Sequence, residues 1–194
     1  KNLISSRTKA VIPVHMLGVP CRMDKIWSIA SEYKIPVVED CCEAVGAKFD
    51  DEHVGTKSLM GVHSYDFGKN ITTGEGGSVY TNDNSIYERL RAIHDHGHAY
   101  ERPTDRGNDP IRCPGFNFRM TEISGSIGLA QISRLDFIIS ENTNRYQVIL
   151  EAFTKEGLKD IVRDIPAGST PSFDTFIFKV TDEAKRKEVV ELLN

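Results

Sequence analysis

Lys9-Ala10-Val11-Ile12-Pro13-Val14-His15-Met16-Leu17 and, further on, Ile35-Pro36-Val37-Val38-Glu39-Asp40 are the two runs that decide the fold class. The first is rich in β-branched and apolar residues and stops at Gly18, so it reads as a strand. The second carries a short continuous apolar run, as expected of a parallel strand buried on both faces. Between them Asp24 is placed to cap a helix in which Ile26, Ala30 and Tyr33 share one face, with Trp27 beside them. Strand, helix and strand at this spacing suit a right-handed crossover in a parallel sheet. In such sheets ligands sit beyond the carboxyl ends of the strands, and Glu39-Asp40 lies at one of those ends.

Downstream, Phe49-Asp50-Asp51-Glu52-His53 reads as a polar, exposed turn, and Gly61–Phe67 and Gly77–Thr81 as two strands. They flank the glycine-rich connection Lys69-Asn70-Ile71-Thr72-Thr73-Gly74-Glu75-Gly76-Gly77. A helix starting at 82–84 carries Ile86, Leu90 and Ile93. A polar stretch over 97–116 contains Pro103, Pro110 and Pro114, and a loop of that length is expected to be functional or to pack on a partner. From Thr121 a long helical region presents Ile123, Ile127 and Ala130 on one face and Ile132, Leu135 and Ile139 on a neighbouring one. Gly125 and Gly128 leave room there for another backbone. Tyr146, Ile149, Leu150 and Phe153 make a further stripe, Phe176–Val180 reads as a strand, and 183–193 as a helix. The expected organisation is a large domain over 1–140, then a connecting helix and the start of a smaller α+β domain over 141–194. Both ends read as cut.

The chain has 194 residues, 39% hydrophobic and 27% charged, with a formal net charge of −4. That composition is globular, and its acidic balance argues against a nucleic-acid footprint. No apolar run approaches the roughly 20 residues that cross a bilayer. Cys21, Cys41, Cys42 and Cys113 show neither a disulfide pattern nor metal-ligand spacing, which suits reduced thiols in the cytoplasm. His94, His96 and His98 alternate on a fraying helix end and are read as without carboxylate or cysteine partners, so solvated or loop-packing roles are preferred and no metal is expected.

Taken singly, the polar candidates are bland. Asp40 alone is a turn former or cap, Lys69 a solvated amine, Ser64 a strand position, and Asn117 and Arg119 loop residues. Together, the ordered set Pro13-Val14-His15, Val38-Glu39-Asp40, Ser64 five residues before Lys69, the Lys69–Gly77 segment, and Gly115-x-Asn117-x-Arg119-Met120 resembles the DegT/DnrJ/EryC1/StrS family. The resemblance runs from about residue 8 to residue 153. It implies an α/β fold with a mostly parallel sheet flanked by helices, the large domain of the pyridoxal-phosphate (PLP) transferases. It further implies an enzyme that passes an amino group from an amino acid, with glutamate the expected donor, to a keto-sugar.

The resemblance also implies roles. Lys69 would hold the cofactor covalently and move the substrate's α-proton. Asp40 would pair with the ring nitrogen and keep it protonated, so that the ring accepts electrons. Ser64 would donate to the cofactor phosphate, and Asn117 would reach the phosphate of a neighbouring subunit's cofactor, making the unit a homodimer with shared sites. Arg119 would brace its loop rather than touch substrate. Glu43 stands where the family often has Gln beside the ring hydroxyl, and a carboxylate there favours one shared proton. Acidic residues at that place are similar to those of the family's sugar dehydratases, which have histidine where this chain has Lys69. A dehydratase, or a non-catalytic oligomerisation module, is the alternative. The family's Gly-Thr phosphate loop and ring-stacking aromatic would lie before residue 1.

Overall fold

A computed structural model describes residues 1–193. Its central sheet is built on β1 (Val38–Asp40), β4 (Met60–Ser64) and β5 (Gly77–Tyr80), in the order β1-β4-β5. β1 and β4 run parallel with Asp40 opposite Val62, and β5 returns antiparallel with Gly77 opposite Ser64. The first apolar run lies along the outer side of β1. It makes parallel bridges Val11–Val37 and Val14–Asp40 rather than a continuous strand, because Pro13 cannot donate to the ladder. His15 N–H donates to the Asp40 carbonyl, extending the pairing by one bond. Three parallel segments therefore end together at His15, Asp40 and Ser64.

Helix α1 (Met23–Glu32) connects the first two segments and buries Met23 and Ala30. It starts two residues earlier than expected. Arg22 occupies the cap position without a side-chain cap bond, while Asp24 sits in the first turn and pairs with Arg22. A carboxylate there still favours the positive helix end. Met23, Ala30, Val37, Cys41, Ala44, Ala47, Phe49 and Val54 form the buried core, with Cys21, Ile26 and Trp27 packed against it. Trp27 meets Phe49 edge-on at 5.8 Å and donates its indole N–H to Ser58 at 2.8 Å.

The stretch expected as an exposed polar turn is a hairpin with a buried anchor. β2 (Lys48–Phe49) pairs antiparallel with β3 (Glu52–His53) and with β6 (Ser169–Thr170). Phe49 is 3% exposed, whereas residues 50–53 are exposed as expected, Asp50 and Asp51 forming the turn with left-handed backbones (φ 50° and 63°).

Helix α2 (Asn84–His94) is capped by Asp83, whose Oδ1 accepts from Ser85 and Ile86 N–H. The long helical region divides at Ser133-Arg134 into α3 (Glu122–Ile132), capped by Thr121, and α4 (Leu135–Lys155). α4 runs on past residue 140, and its Tyr146 and Phe153 stack with Phe173, Phe176 and Phe178. Phe176–Val180 is not a strand. It is an extended arm held by the single bridge Val162–Phe178, with Arg163 N–H bonded to Ile177 O and Lys179 N–H to Ile161 O. Its alternating aromatics serve α4 instead of a sheet. The chain closes with α5 (Glu183–Leu193).

Candidate functional site

The site grows from the shared end of the parallel segments. Asp40, the last residue of β1, is half-buried and its Oδ1 accepts from Cys42 N–H at 3.1 Å. Ser64, the last residue of the adjacent β4, accepts from Asp66 N–H at 3.3 Å, which leaves its own hydroxyl hydrogen uncommitted. From Ser64 the chain turns outward. Tyr65 closes the base of the loop, donating to Gly76 O (2.9 Å) and accepting from Thr73 N–H (2.9 Å). Ile71 is buried beneath it, and Thr73 Oγ1 donates to Glu75 O at 2.8 Å. Gly76 has φ of 151°, where a side chain would press on Thr73 and Met120. Lys69 stands on this tied platform, its backbone N–H bonded to Asp66 O.

The Lys69 side chain is 23% exposed, and its ammonium faces Glu43 Oε1 at 3.9 Å, too far for a hydrogen bond. Glu43 is fixed from the other side, its Oε2 accepting from Leu17 N–H at 2.8 Å. Burial, then the Asp40 carboxylate, pushes the Cys42 thiol up to about 11, and Lys69 opposes them, so the three groups share one electrostatic neighbourhood. The structure thus brings Asp40, Glu43, Ser64 and Lys69 to one end of the sheet. Both Cys41 and Cys42 have raised thiol pKa values, burial being the main cause, and neither is poised as a thiolate.

Asn117 lies elsewhere. It bridges Asp95, is exposed, and accepts from Arg119 N–H through its own Oδ1. Arg119 is held by Asp95, which is 1% exposed and also accepts from Arg106 (2.8 Å to Oδ2) and Tyr100 (2.6 Å). Asp95 and its bonds from Arg106 hold the polar stretch in shape. His96 and His98 lie 3.2 Å from Asp95 and Asp109 respectively, carboxylate partners that the linear pattern did not show.

His15, Glu39 and Cys41 bring possible ligand atoms within 4.8 Å of one another. Both ring nitrogens of His15 are engaged, with Cys21 N–H donating to Nδ1 (3.0 Å) and Nε2 lying 2.9 Å from Glu39. Burial disfavours a charged ring and Glu39 favours one. The amide decides, because a nitrogen that accepts cannot carry a proton. The cluster is therefore a hydrogen-bonded hub under the site, with Gly55 N–H as a further donor to Glu39.

Sequence reasoning missed the groups that arrive from far along the chain. Asn142 on α4 donates to Asn70 Oδ1 at 3.2 Å and to Ser172 O at 3.5 Å, bracing the residue next to Lys69. Asp174 is brought against Gly18, inside the field of Glu43 and Lys69. No local motif marks either one. The available signal was a single carboxylate interrupting the apolar run after Phe173.

Comparison with known proteins identifies the family and the fold. The model of the DegT/DnrJ/EryC1/StrS aminotransferase family matches residues 1–194. GDP-perosamine synthase of Escherichia coli O157:H7 is 42% identical over 71% of this chain and 36% of its own length. GDP-4-keto-6-deoxy-D-mannose 3-dehydratase of Escherichia coli O55:H7 is 32% identical over 100% of this chain and 53% of its own. Among solved structures, the aminotransferase from Psychrobacter cryohalolentis superposes with a TM-score of 0.80 at 32% identity, covering 88% of this chain and 46% of that one. The Escherichia coli GDP-4-keto-6-deoxy-D-mannose-3-dehydratase with bound hydrated PLP gives 0.86 at 31%, covering 100% and 52%. The chain spans between about a third and a half of the length of these curated relatives. On sequence and fold alike, it belongs to the DegT/DnrJ/EryC1/StrS aminotransferase family.

Proposed function

We propose that this chain forms the lysine-bearing side of a PLP-dependent aminotransferase that moves an amino group from an amino acid, glutamate in the first instance, to a nucleotide-linked keto-sugar. The observation that carries the reading is Lys69: a half-buried amine on a tied loop, without a hydrogen-bond acceptor among the described residues, beside the carboxylate and hydroxyl that end the two adjacent strands. An amine, a carboxylate and an uncommitted hydroxyl are the donor set that an aldehyde, a pyridine nitrogen and a phosphate require, so the residues fit PLP. PLP, when bound, supplies a carbonyl that takes up amines and a ring that accepts electrons.

Lys69 Nζ would hold the cofactor and would also serve as the base that moves the substrate's α-proton. Its platform keeps the amine in place between those two tasks. Asp40, its orientation set by the Cys42 amide, would hold the proton on the ring nitrogen. Ser64 donates its free hydroxyl hydrogen to the phosphate. Glu43, tethered to Leu17, turns its other oxygen to Lys69 and would share a proton with the ring hydroxyl when PLP is bound. Asn117 serves the phosphate of a second copy's site, so the working unit is a cytoplasmic homodimer. Residues 1–140 form the cofactor domain, and 141–194 begin the smaller one.

The second reading, a sugar dehydratase, is favoured by one observation, the carboxylate of Glu43 at the site; Lys69 speaks against it. The test is the absorption spectrum of the protein with PLP, before and after adding glutamate. A near-visible band that shifts with glutamate, and that Lys69→Ala abolishes without changing the far-ultraviolet dichroism, is the expected result. Retained turnover in Lys69→Ala would sink the central claim. A sugar product that has lost an oxygen and gained no nitrogen would favour the dehydratase.

A further inference from the structure

We propose that Asp174 is a specificity-determining residue of the Lys69 site, a carboxylate that accepts hydrogen bonds from the hydroxyls of the sugar acceptor. This inference rests on the aminotransferase reading above and deepens it.

The segment that carries Asp174 is fastened to the site at several points. Ser172, itself fully buried, donates its N–H to Gly18 O at 3.0 Å. Asn142 bridges Ser172 O and Asn70, the residue after Lys69. Phe173 has a left-handed backbone (φ 53°), unusual for a bulky residue, and its ring is pinned on Tyr146 at 4.6 Å. That turn delivers the next side chain over Gly18, where Asp174 Oδ1 lies 3.4 Å from Ser172 Oγ. Gly18 is also left-handed (φ 76°), and a Cβ there would collide with both Ser172 Oγ and Asp174 Oδ1. The close approach requires glycine. One residue earlier, Leu17 N–H is the donor that fixes Glu43. The Met16–Gly18 turn therefore carries a carboxylate on each side, Glu43 toward Lys69 and Asp174 toward solvent.

A carboxylate fastened beside the Glu43 turn decides what this edge of the site can receive. A sugar presents O–H donors, and an ionised carboxylate is acceptor-only, with two oxygens suited to neighbouring hydroxyls. Asp174 keeps an exposed edge. Crowding of its carboxyl by protein, reinforced by Glu43 and opposed by Lys69, raises its pKa, which agrees with a group held close to the site.

The test uses two stable probes, GDP and GDP-mannose, titrated calorimetrically into the PLP-loaded protein. Wild type should bind GDP-mannose more tightly than GDP. Asp174→Ala should weaken GDP-mannose by roughly ten- to hundredfold and leave GDP unchanged, as expected for losing hydrogen bonds to a charged group. Asp174→Asn, which keeps one acceptor oxygen, should fall between. The glutamate-driven spectral change should keep its rate within about twofold in both variants, since the donor half-reaction does not use this carboxylate. Unchanged GDP-mannose affinity in Asp174→Ala, or an equal loss for GDP and for the glutamate step, overturns the proposal. A wild type that binds neither probe overturns a GDP-linked acceptor, and this inference with it; that failure shows before any variant is made.

Discussion

Individual side chains divide into those that a motif announces and those that only the fold reveals. Asp95 is of the second kind: an ordinary aspartate in sequence, yet a fully buried carboxylate serving Arg106, Arg119 and Tyr100. The Arg106 hydrogen bond, with those of Tyr100, His96 and Arg119, holds its carboxyl far below the usual range against the opposing effect of burial. A folded-state pKa below the unfolded one contributes stability above the unfolded value of about 3.9, and that contribution is lost as pH falls through the folded value. Asp95→Asn should therefore cost about 2 kcal/mol at neutral pH and flatten the acid limb of the stability profile below about pH 4, as read by urea unfolding from pH 7 to about pH 2. A variant with the wild-type profile would show that the network is surface decoration. Among the site residues, Asp40, Ser64 and Lys69 were legible because the family pattern is local in sequence. Asn142 and Asp174 were not, because their relation to Lys69 exists only after long-range packing.

Elements were legible in proportion to their local signal. α2 and α3 begin where Asp83 and Thr121 cap them, since capping is written within three residues. Phe49 and Phe176–Val180 were misjudged because alternation cannot say which surface will receive an aromatic: the α1 side takes Phe49, and α4 takes Phe176 and Phe178. The Lys69 loop inherits its position from β4, and β4 has a weak point. A Cβ at Gly61 would collide with the backbone of Gly55, which cannot yield as a flexible side chain would. Gly61→Ala should push β4 away, destabilise the protein by about 1–3 kcal/mol and displace Ser64 and Lys69 together. Weakened PLP retention alongside the lowered stability is the expected pair of results. Normal retention at lowered stability would mean that the loop holds its place without β4.

Over the whole molecule, apolar surface is unevenly spread. Phe116, Phe118, Ile123 and Leu129 are each at least 65% exposed, and α3 buries none of its residues within this chain. A patch of this kind marks an interaction surface, and in the proposed dimer it faces the second copy, with Asn117 among it. Mixing Lys69→Ala with Asn117→Ala protein should then restore part of the activity that each lacks alone, because one of the two shared sites in a mixed dimer is intact. Activity no higher than the sum of the parents would argue that each copy works by itself. The return of Ser172 to Gly18 has a consequence for how the site comes into being. That contact joins positions near opposite ends of the chain, so its loop-closure entropy must be met before it gives anything back. During refolding the β1–β4 pairing can form early, whereas the acceptor side of the site is completed among the last events. A molecule in transit to the native state would thus have its chemistry assembled before its selectivity.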